Sequence, residues 1–555
     1  MYRKFFIACL FVSAMAAARA QGGGTKGGIN DGSVVTGVYK PKLIAASKLL
    51  IDPTIPKAES QILNVTYNVA DYRWNTRKIT RILPPVKHFE PGLDTSYNPN
   101  YIRLGAGNYF HKLGELYIAN RANAKYAYNL AIQHLSADQS KVSEDTKNNL
   151  RDFSSNKGYL YGARFFKKSS LGIQVNYLRD MNRYFAKDTI WEKDFVSTFK
   201  KISENVGASV LYDLKALEKK PGFQAGIMFN NFFNNLNHSE TEIGGKTGWD
   251  FVFPKFSTFG SLGVTNLKYR QSFTTTRQWF IDLLPRVKYY NKQNGVDITA
   301  GINLTWVIKD TLTPVTYFNP YLYGEKKLEG FKMKVYGGID GGLRRNSLRR
   351  FSEQVPFTYD TLRVLNTYEQ LRGYAGLKGR ITENSQFSLE FGGNSVSDLP
   401  LVVNSGDSIR SLNVVYDDVA SLYFAADLRF SIGEKLRVGA TGRFTDYTTT
   451  NEQKAWHLPA GTYSLSIQYI PVRNLIFQAG VDGMGRRFSR NLANPSLANL
   501  SMKAFADAHL RADYRVNNLG RIWVQASNLI NQKYQMWNGF YNYGFTILGG
   551  IAASF

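Results

Sequence analysis

From Tyr101 onward, apolar and polar residues alternate one by one. Phe331, Met333, Val335 and Ile339 share one parity, and Lys332, Lys334 and Tyr336 take the other. Leu371, Ala375 and Leu377 alternate with Arg372, Tyr374, Lys378 and Arg380. Leu436, Val438, Ala440 and Phe444 alternate with Lys435, Arg437, Thr441 and Arg443. Ala504 to Val516 repeats the theme, with Asp507, His509, Arg511, Asp513 and Arg515 on the polar parity. A period of two sends successive side chains to opposite faces of a strand. Each segment therefore has one greasy and one charged face, over the roughly ten residues that a tilted membrane strand needs.

The connections also alternate. Asn291–Asn294, Thr382–Ser385, Ile432–Glu434, Ile470–Asn474 and Asn517–Gly520 are short and turn-like. Between them lie longer polar stretches at Ser136–Asn156, Tyr184–Asp194, Arg344–Gln370, Ser397–Arg410 and Arg490–Lys503. Tight turns on one rim and long loops on the other predict an all-β transmembrane antiparallel barrel of about 22 strands, within a range of about 16 to 22. The chain closes on YNYGFTILGGIAASF, whose odd positions from Tyr541 to Phe555 are apolar. That parity is expected to face lipid, with Tyr541 and Tyr543 near the outer interface and Phe555 near the inner one.

Composition supports this reading. Mean hydropathy is only −0.30, yet aromatic residues reach 14%, which suits strands that meet lipid on one face alone. No apolar run of about 18 residues follows the N-terminus, so spanning helices are not expected. No fixed-period repeat suggests a solenoid or propeller. Residues 1–20 have the charge–apolar–small order of a secretory signal, with Arg3 and Lys4 leading and a cut before Gln21. The single cysteine, Cys9, lies inside it, so disulfides and thiolate sites are not expected. Residues 21–100, Gly-rich and then Pro- and Lys-bearing, are expected to form an extended periplasmic or luminal arm. Residues 101–555 are expected to form the barrel.

Charge narrows the chemistry. The formal net charge is +26, and loss of Arg3, Lys4 and Arg19 leaves +23. On the inward parity stand Lys332, Lys334, Arg372, Lys378, Arg380, Lys435, Arg437, Arg443, Arg511 and Arg515, opposed there by Asp507 and Asp513. Such a lining concentrates anions. Near the outer rim, Arg344, Arg345, Arg349 and Arg350 crowd one loop, and Arg486, Arg487 and Arg490 another. Guanidinium forks suit carboxylate or phosphate, so an anionic solute path and docking of lipopolysaccharide phosphates are both open. Solvation of a wet interior explains the same residues. The six histidines lack metal-ligand spacing, and His509 beside Asp507 is the sole candidate for hydrolytic chemistry. No enzyme activity, cofactor, metal or nucleic-acid partner is expected.

The last 50 or so residues resemble the end of a TonB-dependent receptor barrel. In that family the next-to-last strand carries an Asn-Leu-x-Asn-x-x-Tyr signature, matched by Asn528, Leu529, Asn531 and Tyr534, and the last strand ends in an aromatic residue, here Phe555. The resemblance implies a 22-strand barrel in the cell outer membrane, inserted by the barrel-assembly machinery. The family's N-terminal plug is longer than the segment before Tyr101, so the chain reads as a plugless relative. The expected function is transport of polar or anionic solutes across the outer membrane. The alternative is a non-transporting barrel subunit of an outer-membrane assembly, whose arm binds a periplasmic or outer-membrane protein partner.

Overall fold

The computed structural model describes residues 100–120, 125–138, 152–183, 200–214, 221–271, 274–291, 293–309, 313–328, 330, 332–358, 362–382, 384–404, 411–490 and 500–555. The signal, the arm as far as residue 99 and all of Tyr184–Asp194 lie outside them. One antiparallel sheet of 23 segments dominates. Two of these, Thr274–Leu283 and Arg286–Asn291, are halves of one strand, since both pair with Phe256–Gln271 and with Val296–Lys309. Pro285 sits at the break, where a residue without an N–H cannot donate to the ladder. Twenty-two strands result. The sheet closes because Tyr101–Gly107 pairs antiparallel with Thr546–Ser554, Tyr101 opposite Ser554 and Gly105 opposite Gly550. Closure leaves no edge for aggregation or water to exploit.

The strand Gly222–Asn234 shows why this sequence makes a wall. Phe223, Ile227, Phe229 and Phe233 are exposed, Ile227 to 67%, whereas Phe232 on the other parity is 3% exposed. Around the barrel, Ile551, Phe444, Phe391 and Phe318 repeat the pattern. An outward band of large apolar side chains has no stable place in water and fits a bilayer. Among the described residues no helix is long and apolar enough to cross a membrane. The barrel is an outer-membrane fold.

On the rim that carries Tyr101 and Ser554, the gaps between strands are at most seven residues; on the other they reach 22, at 345–366. The first is the periplasmic rim and the second the outer rim. The stretch Ser397–Arg410, expected as a loop, is strand as far as Asn404, carried past a register shift between Val396 and Leu399. The closing strand also begins later than expected. Ile547 and Ile551 do face outward, but Tyr543 is 2% exposed and packs on Tyr109, His111 and Phe153. Asn528 draws it in, since its Nδ2 donates to the Tyr543 carbonyl at 2.9 Å.

Candidate functional site

Two features of the interior bear on function: a charged wall on the periplasmic side and a loop folded into the outer mouth. The wall is built by Val315–Lys327, Met333–Arg344, Thr367–Gly379, Ser385–Asn404 and Leu412–Ile432. Glu325 accepts from Lys334 at 2.6 Å and pairs with Lys378 at 2.7 Å, and Tyr323 donates to it at 2.8 Å. Glu390 accepts from the hydroxyls of Tyr336 and Tyr423 at 3.0 and 2.9 Å. Arg372 grips Asp340 with two parallel hydrogen bonds, at 2.7 and 2.5 Å. Arg443 stacks 3.9 Å above the Tyr423 ring, and Arg286 lies 4.0 Å above Tyr321. The result is a ladder of cations, carboxylates and phenols with polar atoms turned to the lumen.

Of the inward bases expected from sequence, Lys334, Arg372, Lys378, Arg437, Arg443 and Arg511 lie on strands at that parity. Arg511 pairs with Asp513 at 2.6 Å. Lys332, Arg380 and Lys435 fall in periplasmic turns, and Arg515 ends its strand there, its guanidinium donating to the Asn517 carbonyl and Asn518 Oδ1. The carboxylates Glu325, Asp340 and Glu390 share the inward face with these bases. They offset much of the positive charge locally.

The outer-rim arginines act as clamps. The described residues of segment 345–366 turn inward and form a short helix, Leu348–Gln354, opened by the Ser347 hydroxyl accepting the Arg350 N–H at 3.1 Å. Arg345 pairs with Asp282 and donates to Thr265 at 2.8 Å, its guanidinium 4.6 Å from the Phe280 ring centre. Arg349 pairs with Glu242 at 3.3 Å, and its backbone N–H donates to Glu240. Arg344 pairs with Glu369 at 3.3 Å, and Arg350 donates to the Arg345 carbonyl. Leu348, Phe351, Leu362 and Val364 then bury against the inward side chains Phe232, Leu267, Phe280 and Val307. Each such side chain contributes about 2 kcal/mol of apolar burial.

The same segment reaches the far wall. Lys201, on the sixth strand, donates to the Thr358 carbonyl at 3.0 Å and its hydroxyl at 3.2 Å. Phe357, next to Thr358, accepts the Leu412 N–H through its carbonyl at 3.0 Å, and Leu412 opens the sixteenth strand. Phe357 stacks on Phe540 at 4.4 Å and meets Trp537 edge-on. Ten strands of 22 separate the two attachments, close to half the circumference. The loop is thus a chord across the outer mouth.

Segment 528–545 is the chord's partner, and the C-terminal signature orders it. Asn528 and Asn531 both adopt positive φ, 49° and 53°, which Asn tolerates in tight turns. Asn531 Oδ1 accepts the Phe545 N–H at 2.8 Å. Tyr534 stacks on Phe505 at 4.0 Å and donates to Asp507 at 2.7 Å. Leu529 is exposed, and Phe555 donates its N–H to the Asn100 carbonyl at 3.0 Å. The signature therefore lies just beyond Gly520–Ser527 instead of within the next-to-last strand. Arg487, 1% exposed, donates to the Met536 and Gln535 carbonyls at 2.6 and 2.8 Å, and burial pulls its pKa down to about 10. Arg490 pairs with Glu452, while Arg486 is exposed.

His457 locks a third loop to these two. Its Nδ1 donates to the Val402 carbonyl at 2.7 Å, which leaves Nε2 to accept the Asn538 N–H at 3.2 Å. Complete burial lowers its pKa to about 4, so the neutral ring is the folded form. His509 faces Asp482 at 3.9 Å, while Asp507 accepts from Tyr534 and from the Asn528 N–H.

No protein-family model matches the chain, and no curated protein matches it in sequence. Solved structures do. The copper transporter OprC superposes with TM-score 0.63 at 11% identity, covering 82% of this chain and 80% of that one. The FrpB iron transporter from Neisseria meningitidis (F3-3 variant) gives 0.65 at 8% identity, covering 83% and 82%. The ferric-catecholate import receptor Fiu from K12 E. coli gives 0.61 at 10%, with the same coverage. The fold is that of the TonB-dependent receptor barrels.

Proposed function

We propose that this protein moves a polar, anionic solute across the outer membrane, through a lumen whose outer mouth its own loop covers. The observation that carries this reading is the inward ladder of Lys334, Lys378, Arg372 and Arg443 with tyrosine hydroxyls between them. Such a wall offers exchangeable donors to an anion, while its resident carboxylates keep binding weak enough for release. Covering the mouth keeps a wide barrel from leaking. The test is reversal potential in planar bilayers under a salt gradient. The expected result is anion preference, moved toward cations in the double variant Lys334→Glu, Lys378→Glu. Cation preference in the unaltered protein would overturn the proposal.

The chord itself favours a second reading, a non-conducting barrel serving an assembly through the arm at 21–100. Absence of conductance under every condition, with a periplasmic protein retained on purification in mild detergent, would select it. The barrel-assembly machinery remains the expected partner during insertion in either case.

A further inference from the structure

Where the chord meets the wall, two neighbouring strands and the short helix enclose a small cavity. Ser169–Arg183 supplies Asp180 and Asn182, Lys200–Leu214 supplies Ser203 and Asn205, and the helix supplies Ser352 and Glu353. Asp180 stands directly opposite Ser203 in the ladder, and the Ser203 and Ser352 hydroxyls lie 2.9 Å apart. About 10 Å³ is open to the centre of a water-sized body, room for a single ion. All six side chains bring oxygen, and no lysine or arginine lines the cavity. Lys201, two residues before Ser203, directs its ammonium to Thr358 instead.

Asn205 points to the ligand. It is 4% exposed, it lines the cavity, and its Oδ1 has no hydrogen-bond partner. Burying an amide oxygen unmatched is costly, and a cation in the cavity supplies the missing partner. Asp180, also 4% exposed, sets a carboxylate on the same wall. A carboxylate has about four lone-pair sites, so Asp180 can serve a cation alongside its other contacts. Glu353 has the same capacity beside Arg349, whose Nη1 is 3.6 Å from its Oε1.

The donor set selects the ion. Hydroxyl, amide and carboxylate oxygens are hard ligands. Only neutral oxygens join the two carboxylates, since among the described residues no three His, Cys, Asp or Glu side chains converge on a metal position. Calcium takes about six to eight such oxygens in irregular geometry, whereas magnesium demands a regular octahedron and keeps its water. Two carboxylates match a divalent charge, and so few place the affinity at the weak, extracellular end of calcium sites, on the order of 10⁻⁴–10⁻³ M.

We propose that Asp180, Asn182, Ser203, Asn205, Ser352 and Glu353 form a calcium site whose ion joins the chord to the wall. External calcium then holds the cover shut, a consequence that rests on the chord being the cover.

The experiment uses the purified full chain in mild detergent, freed of divalent ions by a chelator. Calcium at about 10 mM is expected to raise the unfolding temperature by a few degrees, and magnesium at the same concentration to leave it unchanged. Asn205→Leu keeps the side-chain volume but removes the amide oxygen, so this variant folds and loses most of the shift. Glu353→Gln, at a partly exposed position, shrinks it as well. Should Asn205→Leu not fold, Glu353→Gln alone decides. No calcium response in the unaltered protein overturns the proposal, as does an equal shift with magnesium or an undiminished shift in either variant. Planar-bilayer conductance of the same protein separates the two readings. A variant-sensitive shift with conductance indifferent to calcium upholds the site and removes the chord as cover.

Discussion

Replacing residues 348–358 with a short Gly-Ser linker opens the barrel. Planar-bilayer recordings of that variant show a persistent conductance, on the order of ten-fold or more above the unaltered protein, since barrels of 16 to 18 strands already leave a water-filled channel. The excision removes Leu348, Phe351, Val355 and Phe357, the side chains that join the chord to both walls. It also frees Lys201 from Thr358, but the water that enters solvates the ammonium. The wall should tolerate the loss, because strand pairing beneath the mouth is untouched and lumen-facing changes leave the lipid face intact. A variant that folds yet conducts no better than its parent would show that the chord does not close the mouth.

Gly550→Val prevents the barrel from closing. Gly550 lies opposite Gly105 where the first and last strands meet, and a Cβ there collides with the backbone carbonyl of Leu104. Tyr101–Gly107 cannot yield, because it is also held to Lys112–Ala119 on its other side. Gly105 is constrained from above, since a Cβ on it enters the Trp523 indole, whose other neighbours include the Arg103 guanidinium at 4.6 Å. Overpacking a side chain costs about 1–3 kcal/mol; here backbone must separate, so most of the ladder at the seam is lost as well. Unheated gel electrophoresis should show only the unfolded band. Gly549→Ala is the control: its Cβ meets the Trp523 carbonyl at an ordinary 3.6 Å and the variant stays folded.

The wall was legible in the sequence because its signal is local. Period-two alternation at Met333–Arg344 or Leu436–Thr449 follows from lipid on one side and water on the other. The rim assignment was equally local, since turn residues mark short connections. What was not legible depends on long-range contact. Arg345 and Arg349 read as a rim cluster, yet their carboxylates, Asp282 and Glu242, lie 63 and 107 residues away. Tyr543 keeps strand-like parity, but the fold of segment 528–545 decides its burial. Val355 and Phe357 were the available hint at an inward loop, as apolar residues inside a stretch otherwise polar enough for solvent. The Asn528-Leu529-x-Asn531 motif pointed to the family of the fold, although its work is to shape a turn.

Passage of solute through the outer mouth requires the chord to move. Ser203 and Ser352 bring their hydroxyls within 2.9 Å across the loop–wall contact, and Cys9, within the predicted signal, is the sequence's single cysteine. A Ser203→Cys, Ser352→Cys variant can therefore be locked by oxidation and released by reductant. Measured as uptake of a small anion into proteoliposomes, the oxidised protein should be silent and the reduced protein active. Equal uptake in both states would show that solute does not pass the chord.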